Sequence, residues 1–294
     1  MSKKNIILVT GGAGFVGTNL IKFLLKKTNF QIISLDDYSS GTKLNHLKNS
    51  RVRYIKGKTK NISNLIQNPL KIKSVFHFGE FARIYQSFIK MNKCIDSNSV
   101  GTNAVFNFCL KNKIKLIYSA TSASLGNKGK DKNLSPYAFF KSKNLELLEN
   151  LKKWFHFKFE VIYFYNVYGP HQICKGDMST VIGIFEDHYK KGKALPVVRP
   201  GTQTRRFTHI NDTINICYLA WKKNLCRHYS ISNKKSYSIT EVAKMFKSNV
   251  KFLPKRQGER YASATINTHL SNKLYKYFGK ISLKDYINNF VEKN

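Results

Sequence analysis

The length and composition of the chain are those of a sizeable globular protein. Its 294 residues are enough to bury a substantial core, either as one large α/β unit or as two lobes. No run of eighteen apolar residues is present, so we expect no membrane span. The apolar start at residues 6–9 is too short for a signal peptide, because Gly11 and Gly12 interrupt it.

The formal net charge of +35 suggests binding to nucleic acid, but the distribution of the charge argues against it. The basic residues are mostly lysine, and they are spread along the chain without a basic tail or stripe. Lys, Asn and Ile are the residues that AT-rich codons favour, so genome composition explains the excess more economically. We expect no specific nucleic-acid partner, and an inactive fold that binds RNA or acts as a scaffold is the less favoured alternative.

The cysteines and histidines give no sign of a disulfide framework or a metal site. The cysteines are odd in number and contain no CxxC pair, which predicts reduced thiols in a cytoplasmic protein. The eight histidines include no HExxH motif and no Cys/His cluster, so we expect no metal. The five cysteines are Cys94, Cys109, Cys174, Cys217 and Cys226.

The first predicted element is a buried strand at residues 6–9, followed by glycines at GxxGxxG spacing and a helix over Phe15–Lys27. Gly11 lets the chain turn tightly, Gly14 lets the backbone approach a pyrophosphate, and Gly17 lets the helix pack against the strand. The helix directs its N-terminus at the phosphates, where the helix dipole favours negative charge. The sequence therefore predicts a dinucleotide site at the start of the chain.

A second strand at residues 31–35 ends in Asp36 and Asp37, about twenty residues beyond the glycines. A carboxylate at that position accepts hydrogen bonds from the hydroxyls of the adenosine ribose and repels a 2′-phosphate. The predicted cofactor is therefore NAD rather than NADP.

Strands and helices continue to alternate along the next part of the chain. Repeated βα units of this length predict a parallel, doubly wound α/β sheet of the Rossmann type with right-handed crossovers. The remaining third is richer in loops and Gly/Pro punctuation, and we expect it to form a smaller mixed α/β substrate lobe. The predicted division is residues 1–165 and 166–294, with residues 205–224 returning to the first unit. Further strands are predicted at residues 52–55, 74–78, 114–119 and 159–164, and helices at 98–109, 136–154 and 240–246.

The most informative polar residues follow the strand at residues 114–119. Thr121 lies at its carboxyl end, where ligand sites of parallel sheets are expected. Tyr137 and Lys141 come sixteen and twenty residues later, and their spacing places them on one face of a helix. An ammonium beside a phenol favours the ionised phenol, so the pair is a candidate base near neutral pH.

These motifs together resemble the extended short-chain dehydrogenase/reductases, specifically the NAD-dependent nucleotide-sugar epimerase/dehydratase family of the UDP-glucose 4-epimerase type. The resemblance covers nearly the whole chain. The matching segments are residues 10–17, 35–41, 75–77, Asn98 with Gly101 and Thr102, 119–121, Tyr137 with Lys141, 165–170 and 205–212.

The resemblance implies a role for each matching residue. Tyr137 would be the general base, Lys141 would bind the nicotinamide ribose, and Thr121 would hydrogen-bond the reacting hydroxyl. Arginine suits phosphate oxygens, so Arg205 and Arg256, with Asn166, would bind the nucleotide sugar. The cofactor-binding residues that the resemblance implies are Gly11, Gly14, Phe15, Val16, Gly17, Asp36, Asp37, Phe78, Gly79, Asn98, Tyr137 and Lys141.

The residues after Thr121 bear on the reaction. Relatives that dehydrate or decarboxylate sugars carry an acid there, whereas this chain has Ser122 and Ala123. The simplest cycle is then 4-epimerisation of a UDP-hexose through a 4-ketose, and a dehydratase, decarboxylase or reductase is the alternative. Glu80, which follows a strand where relatives carry a small residue, is another carboxylate that could reach the sugar.

Two residues depart from the pattern of the family, and the resemblance also implies an oligomeric state. Lys58 replaces an acid near the expected adenine site, and Gln257 replaces a proline beside Arg256. Relatives pack the two helices predicted at residues 98–109 and 136–154 into a four-helix interface, so we expect a homodimer.

Overall fold

The computed structural model describes residues 4–125, 133–258 and 274–294. A parallel sheet of eight strands forms the centre of this part of the chain. The strands of the described residues are β1 Ile6–Thr10, β2 Gln31–Asp36, β3 Val52–Lys56, β4 Ile72–His77, β5 Lys115–Thr121, β6 Phe159–Phe164, β7 Val167–Tyr168, β8 Leu195–Val198, β9 Thr204–Arg206, β10 Thr208–His209, β11 His228–Ser232, β12 Ser236–Ser238, β13 Val250–Leu253 and β14 Leu274–Phe278.

Helices cover both faces of the sheet and form part of the smaller lobe. Short 3-10 turns join several of the elements. The α-helices of the described residues are α1 Phe15–Lys27, α2 Ile62–Leu65, α3 Ile84–Ile89, α4 Met91–Ile95, α5 Thr102–Lys111, α6 Pro136–Phe155, α7 Val181–Lys190, α8 Ile210–Lys223, α9 Ile239–Met245 and α10 Leu283–Glu292.

The strand order is β14-β11-β6-β5-β4-β1-β2-β3, which is a doubly wound arrangement. Successive residues of each strand point to opposite faces, and both faces are buried. Leu8 and Leu116 belong to one core cluster, whereas Ile7 and Ile117 belong to the cluster on the other side. The order reverses between β1 and β4, so their carboxyl ends open the crevice in which such sheets bind ligands.

The predicted fold class is confirmed, and the predicted helix at Phe15–Lys27 has the bounds of α1. The structure differs from the predicted elements in two ways that go beyond shifts of one or two residues in their bounds. The sheet gains β11 and β14 from the last third of the chain, in addition to the six strands predicted. The helix predicted at residues 98–109 begins as a π-helical segment, Asp96–Gly101, before α5. A Cβ on Gly101 would lie 2.3 Å from the Thr59 hydroxyl oxygen, so this segment lies very close to its neighbour.

The C-terminal third has its own core and also contributes to the main sheet. Phe185, Val197 and Phe246 are buried in a cluster of the smaller lobe, around the pairs β8–β13 and β9–β12. Helix α8 instead packs beside α1 against the sheet, where Ile214 joins the core cluster that contains Ile7. The division at residues 165 and 166 remains a prediction.

The described residues also show the state of the cysteines and were searched for membrane-spanning helices and metal-binding clusters. All five cysteines have free thiols. Within the three described ranges, no helix has the length and apolar character needed to cross a membrane. The same ranges contain no cluster of three or more His, Cys, Asp or Glu side chains arranged to hold a metal ion.

Candidate active site

The glycine turn between β1 and α1 packs tightly against the end of β4. Gly11 has φ +69°, and a Cβ there would lie 2.8 Å from the backbone nitrogen of Gly79. A Cβ on Gly17 would lie 2.1 Å from the carbonyl oxygen of Gly11, so the helix could not approach the turn. The turn therefore needs glycine for close backbone approach, which is what a dinucleotide cradle requires.

A cavity of about 540 Å³ lies at the carboxyl edge of the sheet, beside this turn. Its size is within the usual range for small-molecule sites. Of the residues that the resemblance assigns to the cofactor, eleven line the cavity: Gly11, Gly14, Phe15, Val16, Gly17, Asp36, Asp37, Phe78, Gly79, Tyr137 and Lys141. Asn98 does not line it. Its side-chain oxygen accepts from the backbone N–H of Phe81 at 2.6 Å, and its amide donates to the Phe81 carbonyl at 2.8 Å.

The end of β2 places two carboxylates at different depths. Asp36 is buried, and its oxygens accept hydrogen bonds from the backbone N–H groups of Ala13 (2.9 Å) and Tyr38 (2.8 Å). Burial raises the pKa of Asp36, against the lowering effect of these hydrogen bonds. Asp37 lies exposed at the rim of the cavity. Lys58, the departure noted in the sequence, also lines the cavity and pairs with Asp96 at 3.0 Å.

Helix α6 places Tyr137 in its first turn. The Ser135 hydroxyl oxygen caps the helix by accepting from the Ala138 N–H at 3.1 Å, and Pro136 follows at the position that tolerates proline best. Thr121 is hydrogen-bonded through its side chain to Tyr137. Thr121 Oγ1 also accepts from the Ala123 N–H at 3.2 Å. The hydrogen bond between Thr121 and Tyr137 lowers the pKa of the phenol, so it favours the ionised form.

Tyr137 is buried, and several charges act on it. Burial is the largest cause and raises the pKa of its phenol to about 12. The Thr121 hydrogen bond and the nearby Arg83 guanidinium lower this pKa, whereas Glu80 and Cys94 raise it. The arrangement holds a neutral phenol whose proton a hydroxyl partner and a cation can help to release.

Lys141 is buried and pairs with the carboxylate of Glu80. Its ammonium also donates to the Ser119 carbonyl and lies 4.6 Å from the centroid of the Tyr118 ring. Burial lowers the pKa of Lys141, and the Glu80 charge and hydrogen bond oppose this effect. The pair joins residues that are separated by 61 positions in the sequence.

Sequence reasoning did not single out Arg83, which also lines the cavity. Its guanidinium donates to the carbonyl oxygens of Met178 and of Ser179, the latter at 3.1 Å. In the sequence it is one basic residue among many in front of a short helix, so no local signal indicates that it faces Tyr137.

The residues proposed to hold the nucleotide sugar lie outside the wall of this cavity. The Asn166 amide donates to the Arg206 carbonyl at 2.9 Å, which places Asn166 beside Arg205 on β9. A guanidinium N–H of Arg205 donates to the Thr204 carbonyl at 2.9 Å. Arg256 is exposed and stacks on the ring of Tyr85 in α3 at 5.0 Å, one residue before Gln257.

Enzymes that combine this sheet, this glycine turn and a Tyr-xxx-Lys pair in one pocket form the short-chain dehydrogenase/reductase class. A family model described as "NAD dependent epimerase/dehydratase family" matches residues 7–232. The chain therefore belongs to that family, and NAD is its cofactor.

The family membership agrees with individual relatives. The chain is 28% identical over 258 residues, 82% of this chain and 80% of the relative, to an ADP-L-glycero-D-manno-heptose-6-epimerase of Brachyspira hyodysenteriae. It is 26% identical to a crystallised UDP-glucuronic acid 4-epimerase mutant of Bacillus cereus in complex with NAD, with a TM-score of 0.84 over 98% of this chain and 99% of that chain. A UDP-glucose 4-epimerase of Thermotoga maritima has the same fold, with 22% identity and a TM-score of 0.83 over 98% and 97%.

Proposed function

We propose that this protein is an NAD-dependent nucleotide-sugar 4-epimerase that acts on a UDP-hexose. The observation that carries the proposal is the hydrogen-bonded pair of Thr121 and Tyr137, with Lys141 in the same pocket as the glycine turn. The residues after Thr121 support it further, since Ser122 and Ala123 place no acid beside the sugar. The names of two similar proteins, a UDP-glucuronic acid 4-epimerase and a UDP-glucose 4-epimerase, agree with this reaction class.

The proposed cycle uses Tyr137 first as a base and then as an acid. Its phenolate takes the proton of the sugar 4-hydroxyl, while Thr121 hydrogen-bonds the same oxygen and keeps it within reach. Bound NAD supplies the hydride chemistry, since it accepts a hydride from the sugar carbon and later returns it. After the ketose has turned in the pocket, Tyr137 gives the proton back to the oxygen of the opposite epimer. Protons and hydride are thus both restored.

The pocket residues fit the proposed cofactor end to end. Gly11, Gly14 and Gly17 would leave room for the pyrophosphate at the start of α1. Asp36 would accept hydrogen bonds from the adenosine ribose, and Lys141 would bind the ribose of the nicotinamide. Asn98 would act indirectly, by fixing the backbone at Phe81 below the pocket.

The proposed substrate contacts come from the smaller lobe and from the loop after β13. Arg205 and Arg256 would hold the diphosphate, with Asn166 beside Arg205. None of these three residues lines the cavity of the glycine turn, so we assign them to the nucleotide sugar and not to NAD.

A panel of nucleotide sugars tests the proposal. Purified protein with NAD is incubated with UDP-glucose, UDP-N-acetylglucosamine, UDP-glucuronic acid and an ADP-heptose, and the products are identified by mass spectrometry and NMR. We expect the C4 epimer of one UDP-sugar, with unchanged mass and no net NADH. Loss of water or carbon dioxide, net NADH consumption or formation, or inversion at C6 rejects the proposed reaction. No turnover together with tight RNA binding at physiological salt would instead favour the scaffold alternative.

We also propose that the protein is a cytoplasmic homodimer. Val100, before α5, is 49% exposed and Phe139 on α6 is 38% exposed, so the predicted interface presents apolar side chains. Free thiols on all five cysteines support a reducing compartment. Light scattering at micromolar concentration is expected to give twice the mass of the chain, and a monomeric mass contradicts the dimer.

A further inference from the structure

Glu80 is a buried carboxylate inside a cofactor pocket, and the cycle proposed above does not use it. It comes directly after Gly79 at the end of β4, and its side chain is 2% exposed. Removing a carboxylate from water costs several kcal/mol unless charged and hydrogen-bonding partners replace the water. The partners of Glu80 therefore indicate why this position carries an acid.

Every partner of the Glu80 carboxylate is a donor. One oxygen, Oε1, accepts from the hydroxyl groups of Thr102 at 3.0 Å and Tyr118 at 3.1 Å. The other oxygen, Oε2, accepts from the ammonium of Lys141. Because the Asn144 amide donates to the Tyr118 hydroxyl oxygen at 3.2 Å, the O–H of Tyr118 is free to point at Glu80. The carboxylate thus ties α5, β5 and α6 together at one point.

A chain of hydrogen bonds through Thr10, His77 and Thr102 also ends at the Glu80 carboxylate. Thr102 donates its hydroxyl hydrogen to the Glu80 carboxylate, so His77 Nε2, which lies 3.1 Å away, donates to Thr102 Oγ1. The neutral ring then has no hydrogen on Nδ1, which accepts from the Thr10 hydroxyl at 2.7 Å. Burial lowers the pKa of His77 to about 4, so this ring is neutral at pH 7 and supplies no charge.

Lys141 needs a counter-charge, and the groups that face it leave Glu80 as the source. Tyr118 on β5, Tyr137 on α6 and Cys94 on α4 are neutral at pH 7, because burial raises the pKa of each. Arg83, Lys90 and Lys93, which also line the cavity, are cations like Lys141. The carboxylate of Asp96 in the same lining pairs with Lys58 and Lys60. His77 on β4 is neutral, as described. Among the described residues, Glu80 supplies the negative charge in contact with the ammonium.

We propose that Glu80 is a positioning residue that keeps the Lys141 ammonium charged and fixes it in the cofactor pocket. Glu80 acts through Lys141 and need not touch the sugar. The inference rests on the role of Lys141 in NAD binding under the proposed function, and it is independent of which sugar is the substrate.

The test measures how the NAD affinity of Glu80→Gln depends on pH. Glutamine has nearly the same shape but no charge, so the buried ammonium loses its counter-ion and its pKa falls further. Above that pKa, the Kd for NAD is expected to rise roughly 10-fold per pH unit, because Lys141 becomes neutral. In the wild-type protein the Glu80 charge opposes the lowering effect of burial on the Lys141 pKa, so the rise in Kd is expected to begin at a higher pH than in Glu80→Gln. A flat profile for Glu80→Gln overturns the proposal.

Two controls separate positioning from general stability. Glu160→Gln removes the carboxylate of another buried ion pair, with Lys115, and it is expected to keep the wild-type NAD profile. Glu80→Asp restores the charge one methylene group shorter, and it is expected to return the rise in Kd most of the way to the wild-type pH. If Glu80→Asp behaves as Glu80→Gln does and Glu160→Gln shows the same slope, the effect is structural and the proposal fails.

A measurement on the wild-type protein covers the case in which Glu80→Gln does not fold. NMR of protein labelled at the lysine Nζ atoms follows the Lys141 ammonium, whose signal is identified by its loss in Lys141→Met. We expect this signal to be that of a charged amine at pH 7, because Glu80 opposes the lowering effect of burial on the Lys141 pKa. The signal of a neutral amine at pH 7 overturns the proposal.

These experiments need NAD and no sugar, so the two proposals can fail separately. If the nucleotide-sugar panel gives no epimer while Glu80→Gln shows the pH-dependent Kd, the assigned reaction is wrong and the Glu80 assignment stands. If the panel gives the epimer while the Kd stays flat, only the Glu80 assignment is wrong.

Discussion

At the amino edge of the sheet, Glu160 on β6 forms a buried ion pair with Lys115 on β5 at 2.8 Å. The remaining partners of that carboxylate are main-chain groups, the N–H of Cys226 at 3.0 Å and of Arg227 at 2.8 Å. At the carboxyl edge, Glu80 forms a second buried pair with Lys141, but its remaining partners are the side chains of Thr102 and Tyr118. Apart from its lysine, Glu160 thus holds main-chain groups at the amino edge, and Glu80 holds side chains at the carboxyl edge.

The kind of partner determines what each pair can do. Glu160 fixes the segment that leads into β11, and its main-chain partners cannot move without moving the chain. The partners of Glu80 line or adjoin a cavity, and a lysine ammonium has donors that a ligand can engage. A buried ion pair is weak evidence for stability in itself, so its location decides between a structural and a functional interpretation.

The largest effect that we expect on activity comes from a residue that belongs to neither ion pair. Tyr137→Phe removes the proposed base, so kcat is expected to fall on the order of 10²- to 10⁴-fold, measured on the nucleotide sugar identified by the panel. Tyr163→Phe, another buried tyrosine outside the cavity, is the control and should retain activity. Full activity of Tyr137→Phe would show that Tyr137 is not the base.

We expect loss of the Glu160–Lys115 pair to lower the stability of the fold and to leave the activity nearly unchanged. Glu160→Gln leaves Lys115 without its counter-charge, and the free energy of unfolding is expected to fall by about 3 kcal/mol, measured by urea denaturation. At a temperature where the variant is folded, kcat should stay within about 2-fold of wild type. Loss of kcat in a fully folded Glu160→Gln would remove the distinction between the two edges.

The pH dependence of kcat/KM should arise from Tyr137 at the carboxyl edge and not from the ion pair at the amino edge. Burial raises the pKa of Tyr137 to about 12, so below this value the ionised fraction grows roughly 10-fold per pH unit. The rate of a base-dependent step therefore rises with pH, and bound NAD, with its positive ring, lowers the apparent pKa at which the rise ends. We expect kcat/KM to increase between about pH 6 and pH 8, with the same slope in Glu160→Gln. A rate that falls over this range contradicts Tyr137 as the base.

The smallest effect is expected at the adenosine end of the same pocket. Asp36→Asn removes the charge that the backbone N–H groups of Ala13 and Tyr38 stabilise, so the Kd for NAD should rise on the order of 10-fold. The Kd for NADP should rise less, because the charge that repels its 2′-phosphate is gone. Isothermal titration with both dinucleotides measures the ratio, and an unchanged ratio contradicts the role of Asp36.

Elements whose contacts are local were predictable. The bounds of α1 follow from the glycine turn and the spacing of apolar residues, and each of the first six strands is a short segment with at least three apolar residues. Strands β11 and β14 were not predicted, because β11 joins the sheet by pairing with β6 and β14 by pairing with β11, and both partners are far away in the sequence. The π-helical start before α5 was also missed, since tight packing on Thr59 is a tertiary contact.

The candidate site divides in the same way. The i to i+4 spacing of Tyr137 and Lys141 and the distance of Asp36 from the glycines are written in the sequence. The sequence showed Glu80 as an unusual acid after β4, but it did not predict which residues the carboxylate contacts. The structure commits its carboxylate to Lys141, Thr102 and Tyr118, whereas the sequence suggested a group that reaches the sugar.

The sequence by itself determined the family, the cofactor type and the order of strands and helices around the glycine turn, because these depend on short-range spacing and periodicity. The tertiary structure decided which charges meet. Glu80 and Lys141 are 61 positions apart, and Glu160 and Lys115 are 45 apart. Glu160 meets Lys115 because β6 pairs with β5, whereas Glu80 meets Lys141 because α6 packs against β5, the neighbour of β4. Burial makes these two pairs energetically important, because the loss of one partner leaves an uncompensated charge in the interior. A lysine in water loses little when its partner is removed.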